Sequence, residues 1–280
     1  MLFNFVLKPP LECAFPRGNE EGNRHVCWFY LTDSEYYIDL GTAKLFESSL
    51  GWMEKYKNDY PSGIRFVDYQ YSRQLEDLFE ILPTISCPMP GSLYTLVETD
   101  EKRELLYDKI MNLWDETSSG QWNEEDEKYA NIVRNLICYG SLDSGYLRFR
   151  SECQFFNVDG EVIIQYNFNA EDEGGCPVWS AGKGSYTLTY KEFVYEIENL
   201  LNRFFAAMDK QIETALQVFN ESELKASNLV SEHTQRKDYF YGILNAIKNN
   251  AYENLIDWKN LKEDLERYLT EALTAEVARF

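Results

Sequence analysis

The sequence predicts an α+β protein in which an antiparallel sheet packs against helices and the C-terminal third is helical. Three observations predict it. Runs rich in aromatic and β-branched residues, near 26–40 and 146–189, read as strands. Between and after them, apolar residues recur at steps of three and four, the period of a half-buried helix. Strands gathered between stretches of helix, rather than alternating with single helices, indicate segregated layers. The 280 residues are 44% hydrophobic and 15% aromatic, enough to bury a sizeable core.

Taken in order, residues 2–8 form a short strand closed by Pro9-Pro10, which cannot donate to a ladder. A polar loop follows over 11–24. Val26–Leu31 and Glu35–Leu40 are paired as a hairpin through the turn chemistry of Thr32-Asp33-Ser34. Asp68–Leu82 is helical, with Val67, Tyr71, Leu75, Leu78, Phe79 and Leu82 inward. Arg73, Glu76, Asp77 and Glu80 are then left to water, and Pro83 ends the helix. Further helices fit 101–114 and 124–139, broken by Ser118-Ser119-Gly120.

The period then changes to two. Strands fit 146–150, 154–158 and 162–168, the last two joined by Asp159-Gly160, a strong hairpin signal. A strand over 185–189 leads to Thr189, placed to cap a long helix over 190–219. Two or three more helices follow Asn220. The expected organisation is one α+β domain over 1–220, its strands joined in one sheet, with a helical extension over 221–280 packed on it.

Charge narrows the partners. There are 47 acidic residues against 27 basic ones, a formal charge of −20. That balance opposes nucleic acid and anionic lipid, which need clustered Lys and Arg, and it favours a basic protein. The run 98–127 carries eleven acidic and three basic residues, a net of −8. Within it Glu98, Asp115, Glu116, Glu124, Glu125, Asp126 and Glu127, with Trp122 as an aromatic anchor, form one candidate partner surface. Glu171, Asp172 and Glu173 form a second. The alternative for 124–127 is structural: a helix dipole favours carboxylates in the first turn.

Chemistry is harder to find. His25 and His233 show no metal-ligand spacing, and no base is placed to activate Cys176. Gly182-Lys183-Gly184-Ser185 lacks the upstream Gly, and the Ser directly after Lys, of a phosphate loop, so it reads as a turn. No catalytic residue, metal or cofactor is expected. The cysteines at 13, 27, 87, 138, 153 and 176 form no C-x-x-C pair and read as reduced thiols. The N-terminus lacks the basic and apolar regions of a signal peptide, and no run of eighteen apolar residues exists, so a cytoplasmic protein off the membrane is expected.

Three segments together carry a family resemblance. Val26-Cys27-Trp28-Phe29-Tyr30-Leu31-Thr32-Asp33 with Tyr36-Tyr37-Ile38 resembles the Trp-Phe-x-Leu-Thr-Asp-Gly-x-Tyr-Trp-Ile segment of a bacterial domain of unknown function. Val67–Leu78, which begins Val67-Asp68-Tyr69-Gln70, and Val178-Trp179-Ser180-Ala181-Gly182-Lys183 through Leu188 are similar to two further segments of that family. Ser34 stands where that family has a turn Gly, and Leu75 where it often has Trp. The match covers roughly 1–216, which makes the later helices look like an addition.

The resemblance brings no catalytic residues. It implies an immunity-like protein of the bacterial cytoplasm, one that binds and neutralises a cognate toxin. Trp28, Asp33, Asp68, Arg73, Trp179 and Lys183 are then scaffold; a rival reading gathers Asp68, Arg73, Trp179 and Lys183 around one pocket, as an enzyme or small-ligand binder. A third reading is an adaptor that docks through its C-terminal helices.

Overall fold

The computed structural model describes residues 1–13, 15–16, 24–59, 65–117, 121–149, 151–219 and 226–278. The first half holds strands β1 (Phe3–Leu7), β2 (Phe15–Pro16), β3 (Arg24–His25), β4 (Asp33–Asp39), β5 (Lys44–Leu45) and β6 (Val67–Gln70). Its helices are α1 (Leu50–Tyr56), α2 (Tyr71–Ile85) and α3 (Gly91–Tyr94). Then come α4 (Asp100–Thr117), α5 (Glu124–Ile132) and a π-helical turn over Val133–Ile137. The second half holds β7 (Glu152–Val158), β8 (Glu161–Asn167), β9 (Lys183–Thr189), α6 (Tyr190–Val218), α7 (Ala226–Lys248) and α8 (Trp258–Ala278).

This is an α+β fold, with its strands divided between two main antiparallel sheets and not joined in one. In the first sheet β4 pairs with β1, β5 and β6. The second runs β7-β8-β9, and Asp159-Gly160 makes its first hairpin as the sequence implies, both residues taking positive φ.

Several local expectations change as well. Val26–Leu31 is not a strand: Leu31 N–H donates to Cys27 O and Thr32 N–H to Phe29 O, coiling the segment into a turn. Asp33 and Ser34 already lie in β4, and β1 takes the place beside it that the hairpin partner would have filled. Val67–Gln70 is strand, so the helix begins at Tyr71; it passes Pro83 and ends at Ile85, where Ser86 N–H still reaches Leu82 O. Tyr146–Phe149 lies in turns outside any strand, and residue 150 is outside the described residues.

The second sheet is covered on both faces, which explains its run of consecutive apolar residues. Cys153, Phe155, Val162 and Ile164 join one core with Trp28, Tyr36, Tyr71, Leu75 and Phe204. Phe156 and Val158, one residue out of phase, join a second core with Leu106, Ile110, Tyr129, Leu136 and Tyr139. The C-terminal helices are shared between them: Phe240 and Leu244 of α7 enter the first, Leu261 and Leu265 of α8 the second.

The long α6 ties the first sheet down. Thr189 accepts Glu192 N–H and Glu192 returns to Thr189 N–H, a reciprocal cap. Arg203 of this helix donates to Phe3 O on the outer edge of β1, and Gln211 to Lys8 O just past its end. Trp28 is sealed behind it: its indole donates to His233 Nδ1 at 3.1 Å, so the ring proton sits on Nε2 and is donated to Asp209 at 2.7 Å.

Candidate functional site

The acidic run is carried mostly by α4 and the start of α5. Glu101, Glu104, Asp108 and Asp115 stand three, four and seven residues apart, which puts them on one side of α4. At 1.5 Å per residue the stripe is about 21 Å long. All four are exposed, and among the described residues no cation lies within salt-bridge distance of Glu104, Asp108 or Asp115. Leu105 and Tyr107 stand exposed among them, and Trp122, 64% exposed, lies past the end of the helix.

Trp122 stands at the outer end of a row of aromatic rings. Its ring meets Trp114 edge-on at 5.8 Å, Trp114 stacks on Tyr129, and Tyr129 stacks on Tyr268 at 4.3 Å. The Trp114 indole donates to Asp126 Oδ1 at 2.6 Å, while Asp126 Oδ2 accepts Asn123 N–H at 2.7 Å. Asp126 is therefore buried architecture and cannot meet a partner. Glu125 is also engaged, by Tyr268, Lys128 and Arg267, and its carboxyl is held below the usual range chiefly by the Tyr268 hydroxyl.

The remaining predicted residues separate in the same way. Glu124 is exposed, and among the described residues no cation lies within salt-bridge distance of it; Glu127 has Arg134 at 4.0 Å and Glu98 has Lys102 at 2.5 Å. The side chain of Glu116 lies outside the described residues. Asp172 is engaged within its own loop and by α1: it binds Lys55, accepts Tyr56 OH at 3.1 Å, and accepts Gly174 and Cys176 N–H at 2.8 and 3.0 Å. Those partners, Lys55 first, pull its carboxyl far down. Glu171 and Glu173 on either side of it are exposed.

Beside α4 run two hollows that meet at Asp100, Gln165 and Tyr166. One, about 320 Å³, lies between α4, the turn after the π-helix and the β7–β8 strands, with Arg103, Glu104, Cys138 and Ser151 on its walls. The other, about 380 Å³, follows β8 and β9 under Tyr94, Glu98 and Thr99. Asp100 joins them, binding Arg103 on one side and Lys183 at 3.1 Å on the other. Sequence reasoning missed Arg103 and Gln165, because a lone cation and a lone amide carry no spacing signal. Their placement rests on the Arg103 Nη1 bond to Gln165 Oε1 at 2.6 Å.

The four residues of the rival pocket take separate partners. Asp68 binds Lys8 at 2.5 Å, Arg73 faces Asp77 and Asp143, and Trp179 packs on Phe46 and Phe168. Lys183 alone of the four lines either hollow. His233 is committed to Trp28 and Asp209, and the side chain of His25 lies outside the described residues. Among the described residues no group of three or more His, Cys, Asp or Glu is placed to hold a metal ion. All six cysteines are free thiols; burial pushes Cys13 up to about 12.

The fold and site thus define an α+β protein with an acidic, aromatic-anchored helix face beside shallow polar hollows. Among the described residues no helix is long and apolar enough to cross a membrane. The chain belongs to DUF5984, a family of unknown function whose profile matches residues 2–264. That span runs past 216, through α7 and into α8, so those helices lie within the family's length and are not an addition to it. No curated protein and no solved structure matches the chain.

Proposed function

We propose that this chain is a binding protein of the immunity type, one that occludes and neutralises a basic toxin in the bacterial cytoplasm. The observation that carries the reading is the α4 stripe: Glu104, Asp108 and Asp115 exposed on one side, without cations among the described residues, and flanked by Leu105, Tyr107 and Trp122. Exposed carboxylates in a row raise the encounter rate with a basic surface, and a rigid exposed aromatic beside them supplies the contact that resists dissociation. Trp122 suits that role because it is exposed while one edge of its ring already meets Trp114.

The test begins with the protein that co-purifies with the tagged chain from its native strain. Replacing Glu104, Asp108 and Asp115 together by Lys should slow association at low salt by roughly tenfold or more and flatten its salt dependence. Trp122→Ala should act instead on dissociation. Cells making the toxin should lose protection with the triple variant. Unchanged association and full protection by a folded triple variant would sink the reading.

A further inference from the structure

Residues 143–149 form a strap that lies across α2 on the way to β7. Tyr146 anchors it: the ring stacks on Tyr69 at 4.9 Å, and the hydroxyl donates to Gln74 Oε1 at 2.8 Å and lies 3.0 Å from the Tyr36 hydroxyl. Leu147 and Phe149 pack on the first core, Phe149 meeting Trp52 edge-on at 4.9 Å. An ionic hold is shared. The Arg73 guanidinium has Asp77 Oδ1 at 3.4 Å and Asp143 Oδ2 at 3.6 Å, so a carboxylate beneath the strap and one on it contend for a single cation. The Asp143 side chain is 61% exposed and that of Asp77 3%, and among the described residues Asp77 Oδ2 has no hydrogen-bond partner.

We propose that 143–149 is a pH-sensitive cover, held most firmly while Asp77 carries a proton and loosened as that proton is lost to water. With Asp77 neutral, Arg73 is left to Asp143 and ties the strap to α2. Once ionised, Asp77 takes Arg73 and repels Asp143, and a charge enclosed under the strap costs more than one in water. The other groups around it favour the same outcome. Glu76 and Glu80 on α2 add to the repulsion, although Arg236 of α7 binds Glu76. Tyr36 of β4 and Tyr146 of the strap face Asp77 with hydroxyls that burial keeps neutral. Burial, with Arg73 pulling against it, raises the Asp77 carboxyl from 3.8 to about 7. The strap leaves and rejoins the body at Leu142 and Ser151, which wall the hollow of about 320 Å³ beside α4, so loosening it also frees that wall near Glu104.

Opening the strap returns Asp77 to water, where it ionises near pH 4. Between about 4 and about 7 the open form has released a proton that the closed form holds, so opening grows about tenfold per pH unit. Above about 7 both forms are ionised and opening levels off. The reporter is hydrogen exchange of the Leu147 amide, which donates to Ser144 O at 2.9 Å inside the strap. A single turn does not protect an amide once its packing is lost, so this proton exchanges when the strap lifts. Amides in the middle of α6 gauge global unfolding.

In the parent, after correction for the intrinsic exchange rate, opening at Leu147 should rise about tenfold per unit from about pH 5 to about 7, level off above, and stay ahead of α6 throughout. Asp77→Asn cannot ionise and should give a flat profile. Asp143→Asn removes a charge that helps Asp77 keep its proton, and should move the levelling point to lower pH with the slope unchanged. One reading uses the parent alone: the Asp77 carboxyl carbon should titrate near 7 by nuclear magnetic resonance. A midpoint below about 5 overturns the proposal. So does a flat parent profile, or a slope that survives in Asp77→Asn. Exchange of Leu147 in step with α6 overturns it as well, because the strap then opens only when the whole chain does.

Discussion

Asp77 shows what a single residue can hide. Its place on α2 beside Arg73, Glu76 and Glu80 reads as a wet face, yet only 3% of its side chain is exposed. The cover comes from 143–149, where Tyr146 stacks on Tyr69 and donates to Gln74 at 2.8 Å. A contact 70 residues distant leaves no trace in a helical period, so this burial was not legible. Asp77 has Arg73 at 3.4 Å, but among the described residues its Oδ2 has no hydrogen-bond partner. Burial pushes its carboxyl up from 3.8 to about 7, with Arg73 pulling against it and Asp143 adding to the rise. The folded form therefore holds a proton that the unfolded chain releases. Its stabilising effect is complete below about pH 4 and is lost as pH rises through about 7. Asp77→Asn should melt progressively higher than the parent from pH 5 to 8; two parallel pH curves would refute this. His233→Phe leaves the Trp28 indole N–H buried and unpaired and should cost about 1–3 kcal/mol in chemical denaturation, with little dependence on salt.

At the scale of elements, local chemistry was readable and long-range pairing was not. Asp159-Gly160 closes β7 onto β8, and Thr189 starts α6, because both signals are complete within four residues. Val26–Leu31 and Val67–Gln70 failed for one reason. Their side-chain patterns suit strand and helix alike, and the choice was made by β4, which pairs with β1 and β6. The reciprocal cap at Thr189 offers a measurement: Thr189→Ala should lower stability by about 1 kcal/mol. The same change frees the Thr189 N–H from Glu192 only if the carboxylate swings away, which amide exchange at that position would reveal. An unaltered melting curve would mean that packing alone fixes the start of α6.

Over the whole molecule, the acidic excess was plain from composition, while its division into exposed and internally bonded carboxylates was not. Asp126 and Asp172 look no different from Glu124 and Glu173 in a sequence, and differ because Trp114 and Lys55 reach back to them. That β9 pairs with β8 alone among the described residues was invisible too, since an edge is defined by what fails to pair. A formal charge of −20 makes the compact state repel itself. Raising ionic strength from about 0.01 M to about 0.15 M shortens the Debye length from about 30 to about 8 Å and should raise the melting temperature. The α4 triple variant should show a smaller rise, having gained six units of positive charge. Equal salt responses would mean that α4 adds little to the repulsion.

The clasp of Arg203 and Gln211 on β1 has a consequence for synthesis. Phe3 O and Lys8 O emerge from the ribosome 200 and 203 residues before the side chains that satisfy them. At about 5–20 residues per second that interval is roughly ten to forty seconds. Throughout it β1 can pair with β4 while Phe3 O still lacks Arg203, and Trp28 waits longer still for His233. A nascent chain with these buried partners missing for that long is a client for chaperones. Ribosome-bound chains halted before residue 203 should be richer in bound chaperone than chains halted after 233.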